Sequence, residues 1–172
     1  MDRFHDRQHV WLRSRVHGTY LNANSDGKTV SLRGRRASLK AAWTVHIYHG
    51  EGDAVYLLLH SAAYGRYLAA TATPARLGHR GLRAELRDYD QPEVGAIMWR
   101  AVATGRRGRG SFLLHDASGR YLRANSRCLL PCRSSVSVSS CSSLGTAVQW
   151  VVEAVPRLQA RPRRLDAVHT RT

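Results

Sequence analysis

A short alternating pattern of apolar and polar residues occurs three times along the chain. The clearest copy is 112–125, Phe-Leu-Leu-His-Asp-Ala-Ser-Gly-Arg-Tyr-Leu-Arg-Ala-Asn, and related stretches lie at 56–71 and 10–24. In each copy a leucine precedes a glycine, and x-Tyr-Leu-x-Ala follows that glycine. Alternation with a period of two places every second side chain on one face of a strand. Each copy therefore predicts a β-hairpin that turns at its glycine.

A tryptophan within a second apolar stretch closes each copy of the pattern. These residues are Trp43, Trp99 and Trp150, and they divide the chain into units of about 10–51, 54–103 and 111–156. The spacing from glycine to tryptophan differs between units, as insertions in loops would make it differ. The residues that correspond across the units are the predicted core: Leu12, Leu21, Trp43, Leu59, Leu68, Trp99, Leu114, Leu122 and Trp150.

Each unit has room for four short strands. In unit two these are Val55–His60, a strand that ends at Ala70, Leu82–Leu86, and Ala96–Val102 around Trp99. Many short strands form a stable fold only when the sheet edges are paired or covered, which favours closed architectures. We therefore predict an all-β fold, a β-trefoil of three four-stranded repeats with pseudo-threefold symmetry, over residues 1–156. The polar and basic segment 157–172 is predicted to be a disordered tail.

Positive charge is concentrated in the first and last parts of the chain. The net charge is +15; residues 1–50 carry nine basic and three acidic groups, 51–103 carry six of each, and 104–172 carry twelve and three. Only Lys28 and Lys40 are lysines, and arginine favours bidentate partners such as phosphate and carboxylate. Two interpretations stay open: a site for an anionic partner, and a basic surface that is only solvated.

Two basic loops are the candidate sites for an anionic partner. One lies in unit one and the other precedes unit three, and together they supply Arg33, Arg35, Arg36, Lys40, Arg106, Arg107 and Arg109. The sequence Arg-Arg-Ala-Ser in the first loop also resembles a basophilic kinase site with Ser38 as acceptor. Phosphorylation there would add negative charge and weaken anion binding.

Signatures of enzymes and of metal sites are missing from the sequence. It contains no nucleophile elbow, phosphate-binding loop or zinc-protease motif. His60 and His115 occupy corresponding strand positions, so repeat geometry accounts for both. Asp116 follows His115, and neighbouring strand residues point to opposite faces, which argues against an acid–base pair. We expect no enzymatic activity, no catalytic residues, no cofactor and no bound metal.

The cysteines and the N-terminus suggest a reducing compartment. Cys128, Cys132 and Cys141 are odd in number and lack paired zinc-site spacing, so free thiols are expected. The N-terminus has no apolar signal segment, and no later apolar run is long enough to span a bilayer. We expect a monomer without a membrane partner, located in the cytoplasm, with the nucleus as the alternative.

Several motifs together carry a family resemblance. The unit Leu-His-x-x-x-Gly-Arg-Tyr-Leu-x-Ala with its distant tryptophan resembles the repeat of fascin-type, actin-cross-linking trefoils. Segments 1–4, 9–14, 120–125, 136–138 and 149–153 are similar to the plant domain of unknown function 569 family, which is actin-cross-linking-like. The resemblance covers about residues 1–156. The Cys- and Ser-rich segment 126–143 departs from the family pattern, and the strand register there stays open.

The resemblance implies a fascin-like β-trefoil domain with filamentous actin as its partner. Our first hypothesis is a non-enzymatic binding module that presents basic loops to an acidic protein surface. A second is binding of RNA or another anionic polymer through the same arginines. A third is a trefoil lectin, which would want an aromatic and acidic pair in each unit, whereas the acids lie mostly in unit two. A single trefoil offers one site, so we expect weak filament binding without bundling.

Overall fold

The fold was obtained as a computed structural model. It describes residues 4–76, 78–89, 94–104, 110–125, 134–140 and 145–156. These residues form twelve strands: β1 His9–Ser14, β2 Tyr20–Ala23, β3 Val30–Arg33, β4 Ala42–His49, β5 Val55–Ser61, β6 Tyr67–Pro74, β7 Leu82–Arg87, β8 Arg100–Ala103, β9 Ser111–His115, β10 Tyr121–Ala124, β11 Val136–Ser139 and β12 Gln149–Ala154. The tail from residue 157 and the three cysteines lie outside the described residues.

Six strands form a closed antiparallel barrel. Strand β1 pairs with β12 and β4, β4 pairs with β5, and β9 pairs with β8 and β12. A bridge between Leu57 and Trp99 connects β5 to the segment that leads into β8, which completes the ring. Because every barrel strand has a partner on both sides, the barrel leaves no open edge.

Three hairpins cover one end of the barrel and form a cap. They are β2–β3, β6–β7 and β10–β11, one from each unit. The hairpins also contact one another: β7 pairs with β11, Thr29 bridges Glu85, and Ser31 bridges Ser135. The three units therefore meet around one axis, which confirms the predicted β-trefoil.

The nine predicted core residues lie at the centre of the barrel and cap. Leu12, Leu59 and Leu114 come from barrel strands, Leu21, Leu68 and Leu122 come from cap hairpins, and all six are fully buried. Trp43, Trp99 and Trp150 are also fully buried. The hairpin glycines Gly18, Gly65 and Gly119 have φ of 66°, 66° and 73°, a region that favours glycine.

The predicted strand Ala96–Val102 is wrong at its start. Val94–Ile97 is a 3₁₀ helix, and the strand begins only at Arg100. Similar single turns, Leu39–Ala41 and Thr146–Val148, precede the strands of Trp43 and Trp150. Such a turn is too short to give helical periodicity, so it could not be distinguished from the strand pattern in the sequence.

Candidate binding site in the hairpin cap

A cavity of about 760 Å³ opens where the three cap hairpins meet. Unit one contributes strands β2 and β3 with the turn between them, unit two contributes strand β7 and the loop before it, and unit three contributes the start of β11. Cavities of 300–1,000 Å³ are typical of small-ligand sites. The cavity is therefore the candidate binding site of this fold.

The inner wall of the cavity is buried and carries polar side chains. Asn22, Ser31 and Glu85 line it and are 7%, 4% and 7% exposed. The Asn22 amide nitrogen donates to the carbonyl of Ala23 at 2.9 Å. The Glu85 side chain is 10% exposed, and its ion-pair partner among the described residues is Arg83, with Nη1 4.0 Å from Oε1. Buried polar groups normally have close partners. Asn22 and Ser31 have them, whereas Glu85 accepts no hydrogen bond from the described residues.

A hydrogen-bond network fixes the turn of unit one at the cavity mouth. Asp26 accepts from the main-chain N–H groups of Lys28 and Thr29 at 3.0 and 2.8 Å, and from the Thr29 hydroxyl at 2.6 Å. Asn24 donates to Thr29 Oγ1 at 2.8 Å and accepts from Ser31 Oγ at 2.6 Å. Burial raises the pKa of Asp26, but these bonds outweigh it, and the pKa lies below its ordinary value.

Four basic side chains stand around the mouth of the cavity: Arg33, Lys40, Arg76 and Arg83. Lys40 Nζ donates to Ser25 Oγ at 2.8 Å, and Arg83 Nε donates to the carbonyl of Pro74 at 3.0 Å. Arg33 and Arg76 are exposed, and within the described part of the chain neither forms an ion pair. Two guanidinium groups at the mouth are thus available to an anion.

The family of the chain follows from comparison of its sequence with known families. The profile of a family described as a beta-trefoil domain of unknown function, DUF569, matches residues 1–153. The chain belongs to the DUF569 family. A search of curated protein sequences finds no match to the chain.

Solved structures share the fold of this DUF569 domain at low sequence identity. The designed threefold-symmetric protein ThreeFoil has a TM-score of 0.65 at 20% identity, over 84% of this chain and 96% of that one. The SDF2-like protein from Arabidopsis thaliana has 0.70 at 11%, over 86% and 93%. The Macrolepiota procera ricin B-like lectin, solved with lactose, has 0.67 at 16%, over 88% and 98%. At these identities the likeness shows the fold alone.

The basic residues of the first loop, which the sequence singled out, take different positions in the described structure. Arg33 and Lys40 line the cavity, and Arg35 is exposed in the loop between them. Arg36 turns away: its Nη1 donates to Glu153 at 2.8 Å, and its guanidinium lies 4.9 Å from the centre of the Trp11 ring. Arg106, Arg107 and Arg109 lie outside the described residues. Of the loop 33–40, the DUF569 domain thus places two basic groups at the cavity.

The partner of Arg36 belongs to an ion-pair network on the barrel wall. Glu153 also accepts from Arg13 Nε at 2.7 Å and from the Tyr20 hydroxyl at 3.3 Å. Burial raises the pKa of Glu153, but the hydrogen bonds from Arg13 and Arg36 outweigh it and hold the pKa below its ordinary value. Arg36 therefore joins units one and three within the fold.

The corresponding contact between units one and two joins two histidines, His46 of unit one and His60 of unit two. The His60 ring lies 5.5 Å from the His46 ring and 4.9 Å from the Tyr67 ring, centre to centre. Burial, followed by the proximity of His46, lowers the pKa of His60. His115 Nδ1 lies 3.0 Å from the carbonyl oxygen of Asp116. These contacts hold the His60 ring between side chains of β4 and β6 and place the His115 ring next to the main chain of Asp116.

Asp116 differs from the strand residue that the sequence analysis assumed. Strand β9 ends at His115, and the Asp116 carboxylate turns inward, where it accepts from Arg120 Nε at 2.7 Å and from the main-chain N–H of Arg120 at 2.9 Å. The argument from opposite strand faces is therefore wrong in its premise. Arg120 and the hairpin turn hold the carboxylate in place.

Ser38 caps the short turn after the basic loop. Its hydroxyl accepts from the main-chain N–H of Lys40 at 3.2 Å, and the residue is exposed.

Within the described residues, no group of three or more His, Cys, Asp or Glu side chains is arranged to hold a metal ion. A search of the same residues finds no helix that could span a membrane.

Sequence reasoning missed the contribution of unit two to the cavity. Arg76, His79, Arg83 and Glu85 all line it, although the charges of unit two cancel in the sequence. One signal was present: in Leu82-Arg-Ala-Glu-Leu86 the charged residues alternate with apolar ones, which places Arg83 and Glu85 on the same face of the strand. The loop that carries Arg76 has no pattern from which its position could be read.

Proposed function

We propose that this DUF569 domain is a non-enzymatic binding module that holds an anionic group of its partner in the cap cavity. The observation that carries the proposal is the pair Arg33 and Arg76, two exposed guanidinium groups from different units at one cavity mouth. Guanidinium groups bind carboxylate and phosphate through paired, charge-assisted hydrogen bonds. Lys40 and Arg83 add positive charge to the same mouth.

The hydrogen bonds and the lowered pKa of Asp26, at the cavity mouth, favour a binding role over a catalytic one. Both oxygens of Asp26 accept hydrogen bonds from Lys28 and Thr29, and its pKa is lowered. A general acid or base needs a pKa near the working pH and access to the reacting proton. Asp26 is suited to holding the turn rigid instead, which keeps the mouth open in advance of binding.

The shape of the site bears on the kind of partner. A recess of about 760 Å³ accepts a carboxylate or phosphate group that projects from its carrier. A flat filament surface or a nucleic acid duplex would contact the mouth and leave the recess unused. Filamentous actin, which the family resemblance implies, and RNA are therefore partners that the experiment compares.

The first test measures binding of tripolyphosphate, a compact anion, by isothermal titration calorimetry. The double variant Arg33→Gln/Arg76→Gln should bind about tenfold or more weakly, because it loses two charge-assisted contacts. The matched control is Arg7→Gln/Arg35→Gln, which removes the same charge from exposed positions outside the cavity. An equal loss in both double variants would mean that net charge alone determines binding, and would contradict the cavity site.

Macromolecular partners are separated by competition. Co-sedimentation with actin filaments is expected to be weak and without bundling, since one cavity gives one site and cross-linking needs two. Tripolyphosphate should displace the protein from filaments or RNA if either partner uses the cavity. Filament binding that persists in excess tripolyphosphate would instead indicate a separate actin surface.

A further inference from the structure

Glu85 is a nearly buried carboxylate that lines the cavity without a close donor. Its side chain is 10% exposed, and the Arg83 guanidinium stands 4.0 Å away, beyond hydrogen-bond distance. Within the described part of the chain no group donates a hydrogen bond to its oxygens. Arg83 uses its Nε for the carbonyl of Pro74, so the two side chains are not a tight pair. The carboxylate oxygens therefore face the cavity without a donor from the described residues, and a ligand in the cavity can supply donors to them.

A second acceptor lies on the same buried wall. Asn22 uses its amide nitrogen on the Ala23 carbonyl, and its side-chain carbonyl oxygen has no donor among the described residues. Ser31, by contrast, already donates to Asn24. The inner wall therefore presents acceptors that are open to hydroxyl or amine donors of a ligand, whereas Arg33 and Arg76 present donors at the exposed mouth.

This polarity selects one chemical class of ligand. A simple anion such as phosphate satisfies the arginines at the mouth but offers acceptors to Glu85, which would repel it. A neutral polyol satisfies the inner wall but leaves the arginines unused. A molecule with hydroxyl groups at one end and an acid group at the other matches both regions.

We propose that the cap cavity binds an acidic sugar, with ring hydroxyls donating to Glu85 and Asn22 and the acid group accepting from Arg33 and Arg76. The proposal rests on the proposed function, because it places the ligand in the same site. It adds a role for Glu85 that anion binding alone does not require. Glu85 gives the cavity its preference for hydroxylated anions over bare ones.

The test compares three probes on the intact protein by calorimetry. Trigalacturonic acid carries both hydroxyl and acid groups, tripolyphosphate carries charge alone, and maltotriose carries hydroxyls alone. The variant Glu85→Gln removes the carboxylate with little change of shape, and Glu51→Gln, in an exposed turn outside the cavity, is the matched control. Thermal unfolding followed by circular dichroism verifies that both variants fold.

The expected result is that only the binding of the acidic sugar weakens. Glu85→Gln should lower the affinity for trigalacturonic acid about tenfold, because its hydroxyl groups lose a charged acceptor. The affinity for tripolyphosphate should stay unchanged or rise. Glu51→Gln should change neither. If Glu85→Gln strengthens both anions alike, Glu85 only repels anions and the sugar assignment is overturned.

The wild-type protein provides an independent decision should Glu85→Gln fail to fold. Maltotriose should bind more weakly than trigalacturonic acid. The double variant Arg33→Gln/Arg76→Gln should lower the affinity for trigalacturonic acid to that for maltotriose. Equal affinities of the wild-type protein for both sugars would overturn the proposal. Failure of tripolyphosphate to respond to the two arginines would overturn the proposed function instead, so the two failures are distinct.

Discussion

Each of the three core tryptophans anchors its own unit through a single polar contact. The indole nitrogens of Trp43, Trp99 and Trp150 donate to the main-chain carbonyls of Leu21, Leu68 and Leu122 at 3.1, 2.8 and 2.9 Å. Each bond joins the barrel of a unit to its cap hairpin, and both partners are fully buried. The tryptophan therefore fills the core and also sets the distance between barrel and cap.

Replacement of one such tryptophan should be costly. Trp99→Ala is expected to lower the free energy of unfolding by about 3–5 kcal/mol, since it removes a large buried ring and leaves a main-chain acceptor unpaired. Chemical denaturation measures this value. The control is Trp11→Ala: Trp11 is half-buried beneath Arg36, and its loss should cost about 1 kcal/mol. Equal losses in the two variants would refute the repeat alignment.

At the scale of elements, the cap depends on how closely two hairpins approach. Gly81, just before β7, has a φ of 92°, and a Cβ there would overlap the carbonyl oxygen of Val138 in β11. Gly119 also has a positive φ, but a Cβ there would meet no atom within 4 Å. A substitution at Gly119 therefore introduces backbone strain alone, whereas one at Gly81 introduces both strain and a steric clash.

Alanine at these two positions should give different losses of stability. Gly119→Ala is expected to cost about 1 kcal/mol, because a side chain disfavours its backbone conformation. Gly81→Ala should cost at least about 1 kcal/mol more, because β7 and β11 must also move apart. Thermal or denaturant unfolding of both variants measures the difference. Indistinguishable losses would mean that the hairpin contact tolerates expansion.

The sequence was sufficient to predict the residues of the repeating core, but not the contacts of surface side chains. Leu12, Leu59 and Leu114 could be placed because period-two alternation and threefold repetition both constrain them. The ion pair of Arg36 with Glu153 could not be predicted, because the two residues are far apart in sequence and neither belongs to a repeated motif. Side chains at the cavity likewise come from loops, whose conformation no alternating pattern specifies.

At the scale of the whole molecule, we propose that the net charge of +15 attracts polyanions and that the cavity selects among them. A basic surface draws any polyanion nearer and accelerates encounter, and this effect falls with salt. It does not distinguish one anion from another. Discrimination requires groups at fixed positions, and the closed barrel supplies the rigid frame that holds three hairpins around one recess.

The most direct test of the account is the location of the bound ligand. NMR amide chemical shifts should be recorded while the wild-type protein is titrated with trigalacturonic acid at physiological salt. We expect the largest changes at residues that line the cavity, among them Asn22, Arg33 and Glu85, with small changes at Arg35 and Arg36. Changes spread over the basic loops, with those cavity residues unaffected, would contradict the account.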